Sequence, residues 1–139
     1  MNDANGKHVW IFPDGDLPPP GEPGLPLEGH ESLIVLNTGD EDSRLQLDVY
    51  FPDREPETGI TLIAPARRVT CFRLDKPLGQ RQFRIPFGQY ALRLRCSHPV
   101  VAQIGRADVR QDETFGEIVI THIDDEEAAR RGIPDREDD

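Results

Sequence analysis

The chain has 139 residues and a formal net charge of −10, a length that suits one domain with a real core and needs no metal or disulfide staple. Hydrophobic residues make up 36% of it, too many for a disordered chain, while its densest apolar run, Leu33-Ile34-Val35-Leu36, is far too short to cross a membrane. The 13 prolines and 12 glycines argue for many turns and few long helices.

Short alternating segments follow one another along the chain. His8–Phe12, Leu33–Asn37, Arg44–Phe51, Ile60–Ala64, Arg68–Leu74, Gln82–Pro86, Tyr90–Cys96, Val100–Arg106 and Phe115–Ile123 each read as strands. In Leu45-Gln46-Leu47-Asp48-Val49-Tyr50-Phe51 the odd positions are apolar and the even ones mostly polar, the period of a half-buried strand. Turn residues separate the runs, as at Asn37-Thr38-Gly39-Asp40 and Phe51-Pro52-Asp53. The fold expected is all-β, an antiparallel jelly-roll-like β-sandwich of about eight strands over residues 1–123, with a closed barrel as the alternative. Asp16 to Pro26 reads as a proline-rich connection, and its Pro20–Pro23 spacing also fits a polyproline ligand. From Asp124 the chain reads as about two turns of marginal helix running into an acidic tail over 124–139.

Charge is distributed unevenly: residues 1–60 carry a net −10, residues 61–111 a net +8 and residues 112–139 a net −8. A basic middle between acidic ends suits pairing between copies or an anionic partner. The start lacks the basic and apolar stretches of a secretory signal, so a cytoplasmic location is expected, with Cys71 and Cys96 as free, reduced core thiols.

Most catalytic signatures are absent. The sequence contains no G-x-S-x-G, no phosphate-binding glycine loop and no H-E-x-x-H. Cys96-Ser97-His98 sets a thiol near an imidazole, but neighbours on a strand point to opposite faces. Asp40-Glu41-Asp42 reads as a solvated turn rather than a cation loop. In Val100–Asp108 the parity of Val100, Ala102 and Ile104 continues into Arg106 and Asp108, and Leu33 and Val35 share theirs with Glu31 and Asn37. An apolar face ending in convergent polar groups fits the rim of a pocket. It fits equally an ion pair that closes the core's end.

Trp10-Ile11-Phe12-Pro13-Asp14-Gly15, Pro18-Pro19, His30-Glu31-Ser32, Asn37-Thr38-Gly39-Asp40-Glu41, Pro65-Ala66-Arg67-Arg68 and Pro99–Gln103 with Arg106 and Asp108 resemble, in that order, the sensory rhodopsin transducer family. The resemblance runs from about His8 to Ile123. It implies a β-sandwich protomer in a cyclic homotetramer and a soluble, non-catalytic role. A founding member is the cytoplasmic partner of a photoreceptor, and the wider family implies binding of small, sugar-like molecules. Gly105 and His98 depart from the family's pattern, and the acidic tail has no counterpart in it.

The leading expectation is therefore a signalling adaptor that binds a sugar-like or anionic ligand, with a membrane receptor as a candidate partner. Arg67, Arg68 and Arg106 would hold the anionic or hydroxylated group, Glu31, Asn37 and Asp108 would orient it, and Trp10 would supply a stacking wall. No cofactor, metal or catalytic residue is expected. Two alternatives stand beside it. One is nucleic-acid binding through Arg73, Lys76, Arg81, Arg84, Arg93 and Arg95, opposed by the low pI near 4.8. The other is an enzyme resembling a sugar isomerase.

Overall fold

Alternating burial organises the structure, a computed structural model in which residues 4–21, 23, 28–108 and 119–123 are described, Asp108 and 119–123 by backbone alone. In chain order the strands are β1 (Lys7–Leu17), β2 (His30–Asn37), β3 (Ser43–Tyr50), β4 (Glu57–Ala64), β5 (Arg68–Arg73), β6 (Gly88–Asp108) and β7 (Val119–Ile123). Every pairing is antiparallel. Inward positions of β3 (Leu45, Leu47, Val49) face those of β2 (Leu33, Val35) and β6 (Leu92, Leu94, Val100, Ile104), and all of these are fully buried or nearly so.

Strand β6 is 21 residues long, about twice the upper end of the usual range, because it belongs to two sheets. Its first half lies between β3 and β1, where Arg95 faces both Gln46 and Val9; with β4 outside β3, the first sheet runs β4-β3-β6-β1. Its second half lies between β2 and β7, where Arg106 faces both Glu31 and Thr121, so the second sheet runs β5-β2-β6-β7. Pro99 at the crossover has no N–H for either ladder. Buried Ser43 secures the strand there: its hydroxyl donates to the His98 carbonyl at 2.7 Å and accepts the His98 N–H at 3.1 Å.

The sandwich matches the expected fold class, and the differences in detail have physical causes. Seven strands are found among the described residues. Tyr90–Cys96 and Val100–Arg106 are one strand, since Ser97-His98-Pro99 continues extended instead of turning. Gln82–Pro86 is not a strand: Leu78 and Phe83 exchange two backbone bonds around a tight turn, and Leu78 and Ile85 plug the core instead of pairing. Strand β1 runs on to Leu17 because Pro13 falls in a register shift between Phe12 and Gly15, where an edge strand tolerates proline. Asp16 and Leu17 thus belong to β1 and not to the proline-rich connection. Of Phe115–Ile123, the strand Val119–Ile123 is described; the helix and tail expected after Asp124 lie outside the described residues, as does part of the Pro20–Pro23 segment.

Gly15 marks a close approach between β1 and β6. A Cβ placed there would sit 2.6 Å from Cζ of Tyr90, its cross-strand partner. Gly15→Ala is expected to push the Tyr90 ring aside and cost about 1–3 kcal/mol, read as a lowered urea midpoint at unchanged slope.

Candidate functional site

The parity that buries Leu33 and Val35 also points Glu31 inward, and its side chain is fully buried. At 2.6 Å the Tyr90 hydroxyl donates to Glu31 Oε1, and the backbone N–H of Asp16 donates to the same oxygen at 3.0 Å. On the other oxygen, Oε2, Arg106 Nε donates at 2.6 Å, while Arg106 Nη2 reaches the carbonyl of Asp14 at 3.0 Å. One carboxylate thus ties β1 and the first half of β6 to β2 and the second half of β6. Burial, then the neighbouring Glu31 carboxylate, hold the Tyr90 phenol well above its ordinary pKa, so it remains a donor. For Arg106, burial works against the charge, but the Glu31 bond and its field outweigh that and raise its pKa.

The expected site residues do not converge on one pocket. Arg106 aligns with Glu31, whereas Arg68 aligns with Asn37, six residues and about 20 Å along β2. Buried Asn37 caps turns: its amide donates to the carbonyls of Glu41 and Ala64 at 2.9 Å, and its oxygen accepts the Gly39 N–H. Arg67, at φ 56° in the β4–β5 turn, pairs with Asp40, and Arg68 reaches back to the Arg67 carbonyl. Asp42 accepts the Ala66 N–H at 2.9 Å, so the acidic turn is a cap for its neighbour. Trp10 is 5% exposed and packs in the core, stacked near Phe12 with its N–H on the Val100 carbonyl at 2.8 Å. Asp108 ends β6 opposite Val119, and its side chain lies outside the described residues.

A cleft of about 160 Å³ opens beside the Glu31 cluster, lined by Pro13, Tyr50, Phe51, Pro52, Gln89, Tyr90 and Ala91. Tyr90 belongs to both: it is among the residues around the cleft, its side chain is buried beneath it, and its hydroxyl holds Glu31. Among the described residues no charged side chain lines the cleft, but two cations flank it, Arg54 over the Phe51 ring at 5.0 Å and Arg93 over Tyr50 at 5.8 Å. Such a surface stacks against a flat or ring-shaped ligand and can meet an anionic substituent at its margin. Sequence reasoning took these residues as turn and strand positions. One signal was present: Phe-Pro-Asp occurs twice, at Phe12-Pro13-Asp14 and Phe51-Pro52-Asp53, and both prolines line this cleft.

A second buried carboxylate escaped the sequence reading. Asp48 is wholly covered on the outer side of the first sheet. It accepts the Gly59 N–H at 2.8 Å, Arg93 Nε and Nη2 at 2.9 Å, and Arg95 Nη2 at 3.0 Å. Burial alone would raise its pKa; the Gly59 bond and the two arginines outweigh it and bring the carboxyl below its ordinary value. Of the six basic residues proposed for nucleic acid, Arg73 and Lys76 face Asp75, Arg81 faces Glu57, and Arg93 and Arg95 face Asp48.

Nucleophile chemistry gains little support. Cys96 is buried and its thiol is pushed up to about 12 by burial, which removes the thiolate. Cys71 is exposed on β5, not in the core as expected. Ser97 Oγ lies 3.4 Å from His98 Nδ1, and His98 Nε2 lies 3.1 Å from Glu41 Oε2. That serine already accepts the Arg44 N–H at 2.8 Å. Among the described residues no three His, Cys, Asp or Glu side chains gather as a metal site, and no helix is long and apolar enough to cross a membrane.

Residues 5–123 match the model of the family described as Anabaena sensory rhodopsin transducer. Among solved structures, the protein titled Thermotoga maritima 1070 is 29% identical, with a TM-score of 0.69 over 86% of this chain and 94% of that one. The Anabaena sensory rhodopsin transducer is also 29% identical, with a TM-score of 0.61 over 73% of this chain and 89% of its own. No curated protein sequence matches.

Two outcomes follow from the buried carboxylates. Arg106→Ala leaves Glu31 charged, buried and short of its only cationic partner among the described residues, and is expected to cost about 3–5 kcal/mol in urea denaturation. Asp48, with its lowered pKa, contributes stability that is fully present above its ordinary value of 3.8 and is lost as pH falls through the lowered one. Arg93→Gln lessens that lowering, so acid unfolding followed by circular dichroism is expected to begin at a higher pH than in the parent.

Proposed function

Because the chain belongs to the Anabaena sensory rhodopsin transducer family, we propose that it is a non-catalytic, cytoplasmic signalling adaptor that binds a small sugar-like or anionic molecule, works as a homotetramer and answers to a membrane receptor. The observation that carries the ligand half of this reading is the Tyr50–Tyr90 cleft. The half-buried rings of Tyr50 and Phe51 suit the apolar face of a sugar ring, Gln89 offers an amide to its hydroxyls, and Arg54 and Arg93 stand where a carboxylate or phosphate would extend. Glu31 and Arg106 serve as positioning residues that fix Tyr90 from behind. Nucleic-acid binding is the weaker reading, since five of its six proposed contacts already face carboxylates.

The outer face of the second sheet supports self-association. Ile34, Leu36, Val69 and Val101 lie side by side there along two shallow grooves of about 300 and 290 Å³, the second reaching Cys71, Ser32 and Gly105. Val69 is 65% exposed. An apolar face with little charge at its centre is the composition of a lasting interface between copies.

Thermal shift across sugars, sugar acids and small carboxylates tests the cleft. A true ligand at a hundred times its dissociation constant is expected to add about 2.7 kcal/mol, and Tyr50→Ala to erase that gain while the protein stays folded; a screen without a single hit would sink the reading. Light scattering is expected to give a mass near four times 15.7 kDa, falling on Val69→Asp. A monomer at every concentration removes the tetramer.

A further inference from the structure

The outer face of the first sheet differs in chemistry from that of the second. Its registers set Ile63 beside Arg44, Thr61 beside Gln46 and then Arg95 and Val9, and Asp48 beside Arg93 and then Ile11. Val9 and Ile11 are 46% and 53% exposed, a large fraction for aliphatic side chains. Arg93 and Arg95, each nearly half exposed, are both fastened to the one buried Asp48 carboxylate. The three together carry a net positive charge, and exposed Arg44 in the next row adds to it. The guanidiniums are therefore held in place from below while N–H groups remain on the outward side. A ligand that meets them loses little side-chain freedom in ordering them.

We propose that this face docks an acidic segment of a partner protein, whose carboxylates bond Arg93 and Arg95 while an apolar side chain covers Val9 and Ile11. Arginine beside exposed aliphatics is the pattern of an interface anchor. A polyphosphate partner has no use for the aliphatic half, and half the arginine charge is already neutralised by Asp48. A two-fold contact between copies on this face would set arginines against arginines; a head-to-tail contact with a copy's own acidic stretch would show as a mass that falls on Arg95→Gln, and that outcome would overturn the proposal. The chain's overall charge of −10 repels acidic partners at a distance, but that field is screened within about 8 Å at physiological salt, leaving the local contacts to decide. This docking face shares Arg93 with the cleft, but Val9, Ile11 and Arg95 do not line the cleft, so substitutions at those three residues test the face without testing the cleft ligand.

The test is fluorescence anisotropy with the full chain and a labelled peptide of alternating glutamate and leucine at physiological salt, beside a lysine–leucine peptide and a duplex DNA of random sequence. Saturable binding of the glutamate peptide is expected, weakened about tenfold or more by Arg95→Gln and by Ile11→Ser, and unchanged by Phe87→Ser at an exposed apolar position in the β5–β6 connection. Val9→Ser touches no buried charge and carries the test if Arg95→Gln unfolds. Absence of binding, equal binding of the lysine peptide, indifference to these substitutions, or displacement by DNA through the same residues would overturn the proposal.

Discussion

One carboxylate with no exposure to water, that of Glu31, sets the relation between the two sheets. Apolar packing alone fixes which faces meet but tolerates sliding, since leucine against leucine is nearly the same at several offsets. Glu31 is less forgiving. Its oxygens must reach a phenol on the first half of β6, an amide on β1 and a guanidinium on the second half of β6, and a shift of one residue would turn its side chain to the other face. Burying the charge carries a large desolvation cost that these bonds offset. Its contribution is therefore best seen as selecting one arrangement of the sandwich over its neighbours.

The cleft inherits that geometry. Tyr90 is held at its hydroxyl by Glu31 and crowded on its ring by Gly15, so the buried layer beneath the cleft is fixed. The two Phe-Pro-Asp sequences bring Pro13, in the β1 bulge, and Pro52, in the β3–β4 connection, to the same opening. Proline has a fixed φ and little entropy to lose, which suits a site meant to exist before its ligand arrives. Arg93 belongs to two neighbourhoods, stacking over Tyr50 at the cleft and bonding Asp48 on the open face.

The fold class was legible in the sequence because period-two alternation survives wherever one side of a strand is buried, as at Leu45, Leu47 and Val49. Strand ends were less so. Proline usually ends a strand, yet Pro13 sits in a bulge and Pro99 at a crossover, so β1 and β6 both run longer than their patterns indicated. Parity also paired Glu31 with the core and Arg106 with Ile104, and the two do meet. Parity carries no information on position along the sandwich, however, so Asn37, Arg67 and Arg68, which gather at the other end, could not be told apart from them. Asp48 was hidden for a different reason. It occupies an outward position that usually faces water, and only the arginines opposite, themselves on alternate residues, could have hinted at its burial.

The placement of β6 has a consequence for how the chain acquires its structure during synthesis. The strands β1, β2 and β3 all pair with β6, which begins only at Gly88. As the chain leaves the ribosome, the ladders available before then are β3 with β4 and β2 with β5. Through most of translation β1 has no strand to pair with, and the inner faces of two partial sheets stay open to water. Assembly then waits on contacts between residues some 85 apart, such as Trp10 with Leu94, and such long-range closure is slow and exposes edges to other chains. A nascent chain stalled before β6 would thus be a sticky pair of ladders, and one released after it a sandwich.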